Sequence, residues 1–197
     1  MADKTKISID VSFDKKVKLS HVASGKLQKE KDGLKTTKTL GVTKPSAAVE
    51  SPVLHWDEVT DPINKTKTLA IKEVSAKVVY STRVWIDKAI GKKHDCYKHV
   101  FEHEKRHVKV WQAGVKKYAK DIIKAVDAVT TPKLGKPVEV KDKAAAKVRE
   151  EAFKRIDKAL ADAVQKYGKK IGDESKKKID TSSERKKTNA ICADYLK

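Results

Sequence analysis

The residues best equipped for chemistry stand together in the middle of the chain, in His99-Val-Phe-Glu-His-Glu-Lys-Arg-His107. Within it, His103, Glu104 and His107 spell H-E-x-x-H. Residues four apart on an α-helix lie one turn above each other, so His103 and His107 can offer ring nitrogens to one metal ion. Zinc held by two histidines and one further protein ligand keeps a position open for water. A carboxylate beside it, here Glu104, can take the water's proton during attack on a carbonyl. That is peptide hydrolysis by a metallopeptidase. His99 extends the histidine ladder, but about 12 Å of helix separates it from His107, too far for one ion to take all three. It is therefore expected to support the site or to face solvent. The competing reading of the stretch is a solvated, histidine-rich helix face.

Such a motif needs a helix, and the segment Lys92–Ala113 is free of Gly and Pro. Asp95 is a fitting N-cap for a helix from about Cys96 to about Asp127. At 100° per residue, Val100, Val108, Trp111, Val115, Tyr118, Ala119 and Ile122 gather on one side, with His103 and His107 on its border. Gly114 can loosen the helix there. The run Thr130–Pro137, with two prolines and a glycine, breaks it. A second helix is predicted from about Asp142 to Tyr167, stopped by Gly168, with a stripe of Ala145, Val148, Ala152, Ile156, Ala159, Leu160, Ala163 and Tyr167. Pairing Asp127 with Lys143 in an antiparallel helix pair sets His107 opposite Ala163 and His103 opposite Tyr167. That register nominates Asp162 as third metal ligand, with Gln165 and Asp157 as alternatives, and Tyr167 as donor to a developing oxyanion. In the Lys-rich tail, Ile179-Asp-Thr-Ser-Ser-Glu-Arg reads as a helix start, capped by Asp180 or Thr181 with Glu184 completing a capping box.

The first part of the chain is patterned for strands. Ile7, Ile9, Val11 and Phe13, then Val17 and Leu19, alternate with polar residues, as in a hairpin turning near Asp14 or a bent strand. The segment Ser24–Ser51 shows no firm period beyond a short strand around Leu40–Val42. Within Leu69–Ile86, Val74, Ala76, Val78, Tyr80, Thr82, Val84 and Ile86 keep one parity, which predicts a long strand or a tight two-strand ribbon whose exposed edge could hold a peptide beside the metal. The expected class is α+β: an N-terminal antiparallel sheet packed on a long antiparallel helix pair that carries the motif. One domain is expected over 1–197, with 1–90 mainly β, 92–170 the helical pair and 171–197 a tail with a short helix.

Composition narrows the partners. The formal net charge is +19, with 37% charged residues. No run approaches the roughly 20 apolar residues of a membrane span. The basic excess is mostly Lys with few interleaved aromatics and no recognisable reading motif, so specific nucleic-acid binding is not expected; an anionic surface or acidic substrate would be drawn equally well by such a field. Cys96 and Cys192 read either as free thiols or as a bridge tying the tail to the motif helix. The first residues, Met-Ala-Asp-Lys-Thr-Lys, lack a signal peptide's apolar core, so the protein acts where it is made or a leader has been removed.

The segment Cys96-Tyr-Lys-His-Val-Phe-Glu-His-Glu-Lys-Arg-His107, preceded by a long strand and followed by a helical pair, Ile179-Asp-Thr-Ser-Ser-Glu and Cys192, resembles bacterial predicted secreted zinc-dependent proteases. The likeness runs from about Ala70 to Cys192. It implies a zincin-like fold, Zn²⁺ at His103 and His107, Glu104 as general base, a peptide or protein substrate, a Cys96–Cys192 bridge and a periplasmic or secreted location. The histidine that metzincins carry six residues after the motif is absent, since that position is Ala113. The alternative function is a zincin-like metal-binding protein without turnover, or a basic interaction protein.

Overall fold

The computed structural model describes residues 5–30, 38–133 and 136–196. In chain order it contains β1 (Lys6–Phe13), β2 (Lys18–Val22), α1 (Ser24–Glu30), β3 (Gly41–Val49), β4 (Val53–Asp61), β5 (Thr66–Asp87), α2 (Asp95–Lys133), β6 (Val138–Lys141), a 3₁₀ turn at Asp142–Ala144, α3 (Ala145–Ile179), α4 (Ser182–Ile191) and α5 (Ala193–Leu196). The class is α+β. Among the described residues, no helix is long and apolar enough to cross a membrane. The predicted break at Thr130–Pro137 begins later than expected, since α2 runs on past Asp127 to Lys133; Leu134 and Gly135 lie outside the described residues, as do Met1–Lys4.

β5 is the strand with which every other strand pairs. At about 3.3 Å per residue it offers roughly 70 Å of hydrogen-bonding ladder, enough for several short strands in succession. Two expectations are corrected by this. β5 is not an exposed edge, and β1 and β2 do not form a hairpin with each other, because each pairs with β5. The sheet is mixed and not antiparallel: β2 runs parallel to β5, whereas β4 and β6 run antiparallel to it.

The residues divide into two compact units. The first comprises Met1–Ser12, Ala47–Val79 and Lys116–Gly168. Here β4 pairs with β5 from Val53↔Ser75 to Asp61↔Thr66, with a slip at His55/Trp56 that leaves Lys72 as an extra residue. A bulge flips the faces beyond it. Accordingly Leu69 and Ile71 are buried on one parity and Val74 and Val78 on the other. The core is completed by Tyr118, Ile122 and Val126 of α2 with Ala152, Ile156, Leu160 and Ala163 of α3.

The second unit comprises Phe13–Ser46, Tyr80–Val115 and Lys169–Lys197. β2 lies beside the end of β5, from Lys18↔Arg83 to Val22↔Asp87. The core gathers Leu40, Val84, Ile86, Ile90, Val100 and Val108 around a disulfide between Cys96 and Cys192. α3 does not stop at Gly168 but continues to Ile179. A helix-interior glycine costs only about 1 kcal/mol, and burial of Ile171 offsets it. Gly114 makes that burial possible, for a Cβ there would come within 2.7 Å of the Ile171 side chain.

The Cys96–Cys192 bridge closes a separation of 96 residues and anchors the end of the chain to the first turn of α2. In the chain-entropy view such a loop is worth about 4 to 5 kcal/mol. Replacing both cysteines by serine is expected to lower unfolding stability by about that amount in urea titrations; a loss below about 1 kcal/mol would contradict an anchoring role.

Candidate metal centre

The side chains that converge come from three elements of the second unit. α2 supplies His103 and His107 on the same face, one turn apart, at the border of its apolar stripe. The end of α3 supplies Ser175, and the link between α3 and α4 supplies Asp180. Thr181 caps α4, its hydroxyl accepting from the Glu184 N–H at 3.2 Å. With the cap filled by Thr181, the Asp180 carboxylate is left to turn towards α2.

His103 Nε2 and His107 Nε2 are 3.1 Å apart, and Asp180 Oδ1 lies 3.2 Å from the first and 3.1 Å from the second. Tetrahedral zinc with bonds of about 2.0 to 2.1 Å spaces its ligand atoms by about 3.3 Å. The triangle is therefore close to the size one such ion needs. The outer nitrogens are also engaged. His107 Nδ1 is 2.8 Å from Ser175 Oγ, and His103 Nδ1 faces Glu184 Oε1 at 3.5 Å. A proton on each Nδ1 leaves both Nε2 lone pairs directed at the Asp180 oxygen, the tautomer that metal-bound histidines take. Glu184 is itself held by Arg106, and His99 reaches Thr188 Oγ1 at 2.9 Å and Glu184 Oε1 at 3.6 Å. His103, His107 and Asp180 keep 17%, 12% and 36% of their side chains exposed, so a small solute can reach them.

Glu104 points into the protein and is nearly fully buried. Two residues of β3 with the same parity shape its place. The Thr43 hydroxyl donates to Glu104 Oε2 at 2.7 Å, while Gly41 leaves the space beside Oε1, where a Cβ would sit 2.9 Å from that oxygen. Burial raises the Glu104 pKa, against the lowering influence of His107, the Thr43 hydrogen bond and His103. Burial would also discharge His103, but the hydrogen bond to Asp180 and the charges of Glu104 and Asp180 outweigh it and raise its pKa. Asp180 is the converse: burial opposes its charge, and hydrogen bonds from His103 and His107 overcome that and hold its pKa well below the usual carboxylate range.

Of the residues expected from the sequence, His103 and His107 converge, Glu104 lies buried beside them on α2, and two are not brought to the site. Asp162 is exposed and pairs with Lys158 Nζ at 2.7 Å; Tyr167 stacks on Tyr118 with centroids 5.3 Å apart. Both lie in the first unit. The expected register had α3 ending at Gly168, so it faced His107 with Ala163, whereas the residue at His107 is Ser175, twelve positions later. The sequence offers Asp180 as a helix cap, and its place beside the two histidines is not anticipated. Its signal was that Thr181, the next residue, could cap α4 equally well, leaving a carboxylate spare. Comparison with protein-family models, curated proteins and solved structures found no match.

The shifted groups predict a pH window for the metal-free protein. Stability from the raised His103 is present below about pH 6.5 and lost as pH rises through its folded pKa; stability from the depressed Asp180 is present above about pH 4 and lost as pH falls. The destabilisation caused by Asp180→Asn, measured with chelator present, should therefore peak between about pH 4 and pH 6.5 and shrink on either side. A difference that does not change with pH would contradict the pairing.

Proposed function

We propose that this chain is a zinc-dependent metallopeptidase of zincin-like build, with His103, His107 and Asp180 as ligands and Glu104 as general base. The observation that carries the reading is the closed triangle of His103 Nε2, His107 Nε2 and Asp180 Oδ1 on an H-E-x-x-H helix. Zinc bound there would supply a Lewis acid that polarises a carbonyl and acidifies water. Ser175 and Glu184 orient the two imidazoles through their Nδ1 atoms. Glu104, adjacent to His103 in the chain and raised in pKa by burial, would be the base that takes the water's proton and returns it to the leaving amine.

β3 suits the substrate. It pairs with β5, and Pro45 within it fits a strand whose outer side pairs with no other strand among the described residues. A peptide laid along that outer side would lie beside the strand that holds Glu104 through Thr43. The buried Cys96–Cys192 bridge favours an oxidising, extracytoplasmic location, in line with the resemblance to secreted zinc proteases.

Cleavage of unstructured polypeptides by the zinc-loaded protein tests this. Glu104→Gln should retain about one zinc per chain and lose activity by roughly a thousandfold or more. Thr43→Val should lower kcat about 10- to 100-fold with zinc unchanged, and Thr43→Ser should restore most of it. Zinc retained by a wild type that cuts no peptide would favour a non-catalytic metal-binding role instead.

A further inference from the structure

The unit that carries the metal centre holds most of the chain's charge. Its three segments contain 26 Lys and Arg against 12 Asp and Glu, a formal +14 of the total +19, whereas the other unit has 20 against 15. Four of its carboxylates are committed: Asp87 and Glu104 are buried, Asp180 meets the two histidines, and Glu184 is held by Arg106. The cations are placed the other way. Lys176, Lys177 and Lys178 are exposed at the end of α3, immediately after Ser175, and Arg185, Lys186 and Lys187 are exposed immediately after Glu184. Among the described residues, none of these six pairs with a carboxylate.

Two of them stand close to residues of the centre. Lys178 is three residues after Ser175 and so shares its side of α3. Lys187, three residues after Glu184, lies within electrostatic reach of His99. Half-exposed Arg106 touches both His103 and Glu184. Single exposed ion pairs contribute little, but a group of like charges around a cleft concentrates counter-charged ligands and raises association rates by 10- to 1000-fold, in a salt-dependent way. The span Lys176–Lys187 contains no aromatic residue on which bases could stack, and five of its six cations are Lys, which lacks the guanidinium fork that suits phosphate.

Resting on the metallopeptidase reading, we infer that the site takes acidic polypeptide segments, with Asp or Glu flanking the scissile bond held by the collar of Lys176–Lys178 and Arg185–Lys187. The test uses full-length, zinc-loaded Glu104→Gln protein and three labelled peptides of equal length, acidic, neutral and basic, with a single-stranded oligonucleotide of the acidic peptide's charge. Binding is read by anisotropy at about 50 and about 500 mM salt, where the screening length differs about threefold. The acidic peptide should bind roughly tenfold or more tightly than the neutral one at low salt, and the gap should close at high salt. Lys178→Glu with Lys187→Glu should abolish the preference. Lys116→Glu with Lys120→Glu, the same charge change at exposed positions of the other unit, should leave it intact. Equal affinity for acidic and neutral peptides, tighter binding of the oligonucleotide, or equal loss in both double variants would overturn the inference. Should Glu104→Gln protein prefer the acidic peptide while wild type cuts nothing, the peptidase reading falls and the collar stands; should wild type cut neutral peptides as fast as acidic ones, the collar falls alone.

Discussion

Three lone-pair donors, His103 Nε2, His107 Nε2 and Asp180 Oδ1, are held within 3.2 Å of one another. Atoms of that kind repel at that distance unless a proton or a cation sits among them. The upward shift of His103 and the downward shift of Asp180 are the protein's response when a proton must serve. A metal ion relieves the same repulsion at all three corners together. The surrounding features serve to keep the corners in place: the one-turn spacing on α2, the hydrogen bonds at both Nδ1 atoms, and the Thr181 cap that leaves Asp180 pointing at the helix.

Holding Asp180 there is a long-range problem. The chain must travel from His107 along the rest of α2, through β6 and back along the whole of α3 before Asp180 can close the triangle. Local contacts in the second unit set the outcome, with Gly114 admitting Ile171 and Ser175 meeting His107. At the other end, the Cys96–Cys192 bridge ties α4 and its neighbour back to the start of α2. Asp180 and Glu184 are thus fixed from both sides, by helix packing before them and by a covalent link after them. Gly41 and Thr43 give Glu104 comparable precision from β3.

What the sequence made legible was whatever depends on near neighbours. The H-E-x-x-H spacing, the stripe on α2, the alternation along β5 and the helix start at Thr181 all follow from periods of a few residues. What it hid depends on partners far away. The change of parity at Lys72 needs the register of β4, and the parallel pairing of β2 needs a β5 long enough to receive it. The carboxylate that meets the two histidines differs from the expected one for one reason: Gly168 looked like a stop, and a helix glycine's modest cost is overridden once Ile171 has a place to be buried. Eleven further residues of α3 then moved the partner of His107 from Ala163 to Ser175 and replaced Asp162 by Asp180.

The most direct measurement is the zinc dissociation constant of Asp180→Ala beside that of Asp162→Ala, each against wild type. Loss of a ligand should weaken binding by more than the roughly 10- to 100-fold that an outer hydrogen-bond partner contributes, so Asp180→Ala should fall by more than about 100-fold while Asp162→Ala matches wild type. Wild-type affinity in Asp180→Ala, or a wild type that takes up no zinc at micromolar concentration, would contradict a metal centre built on His103, His107 and Asp180.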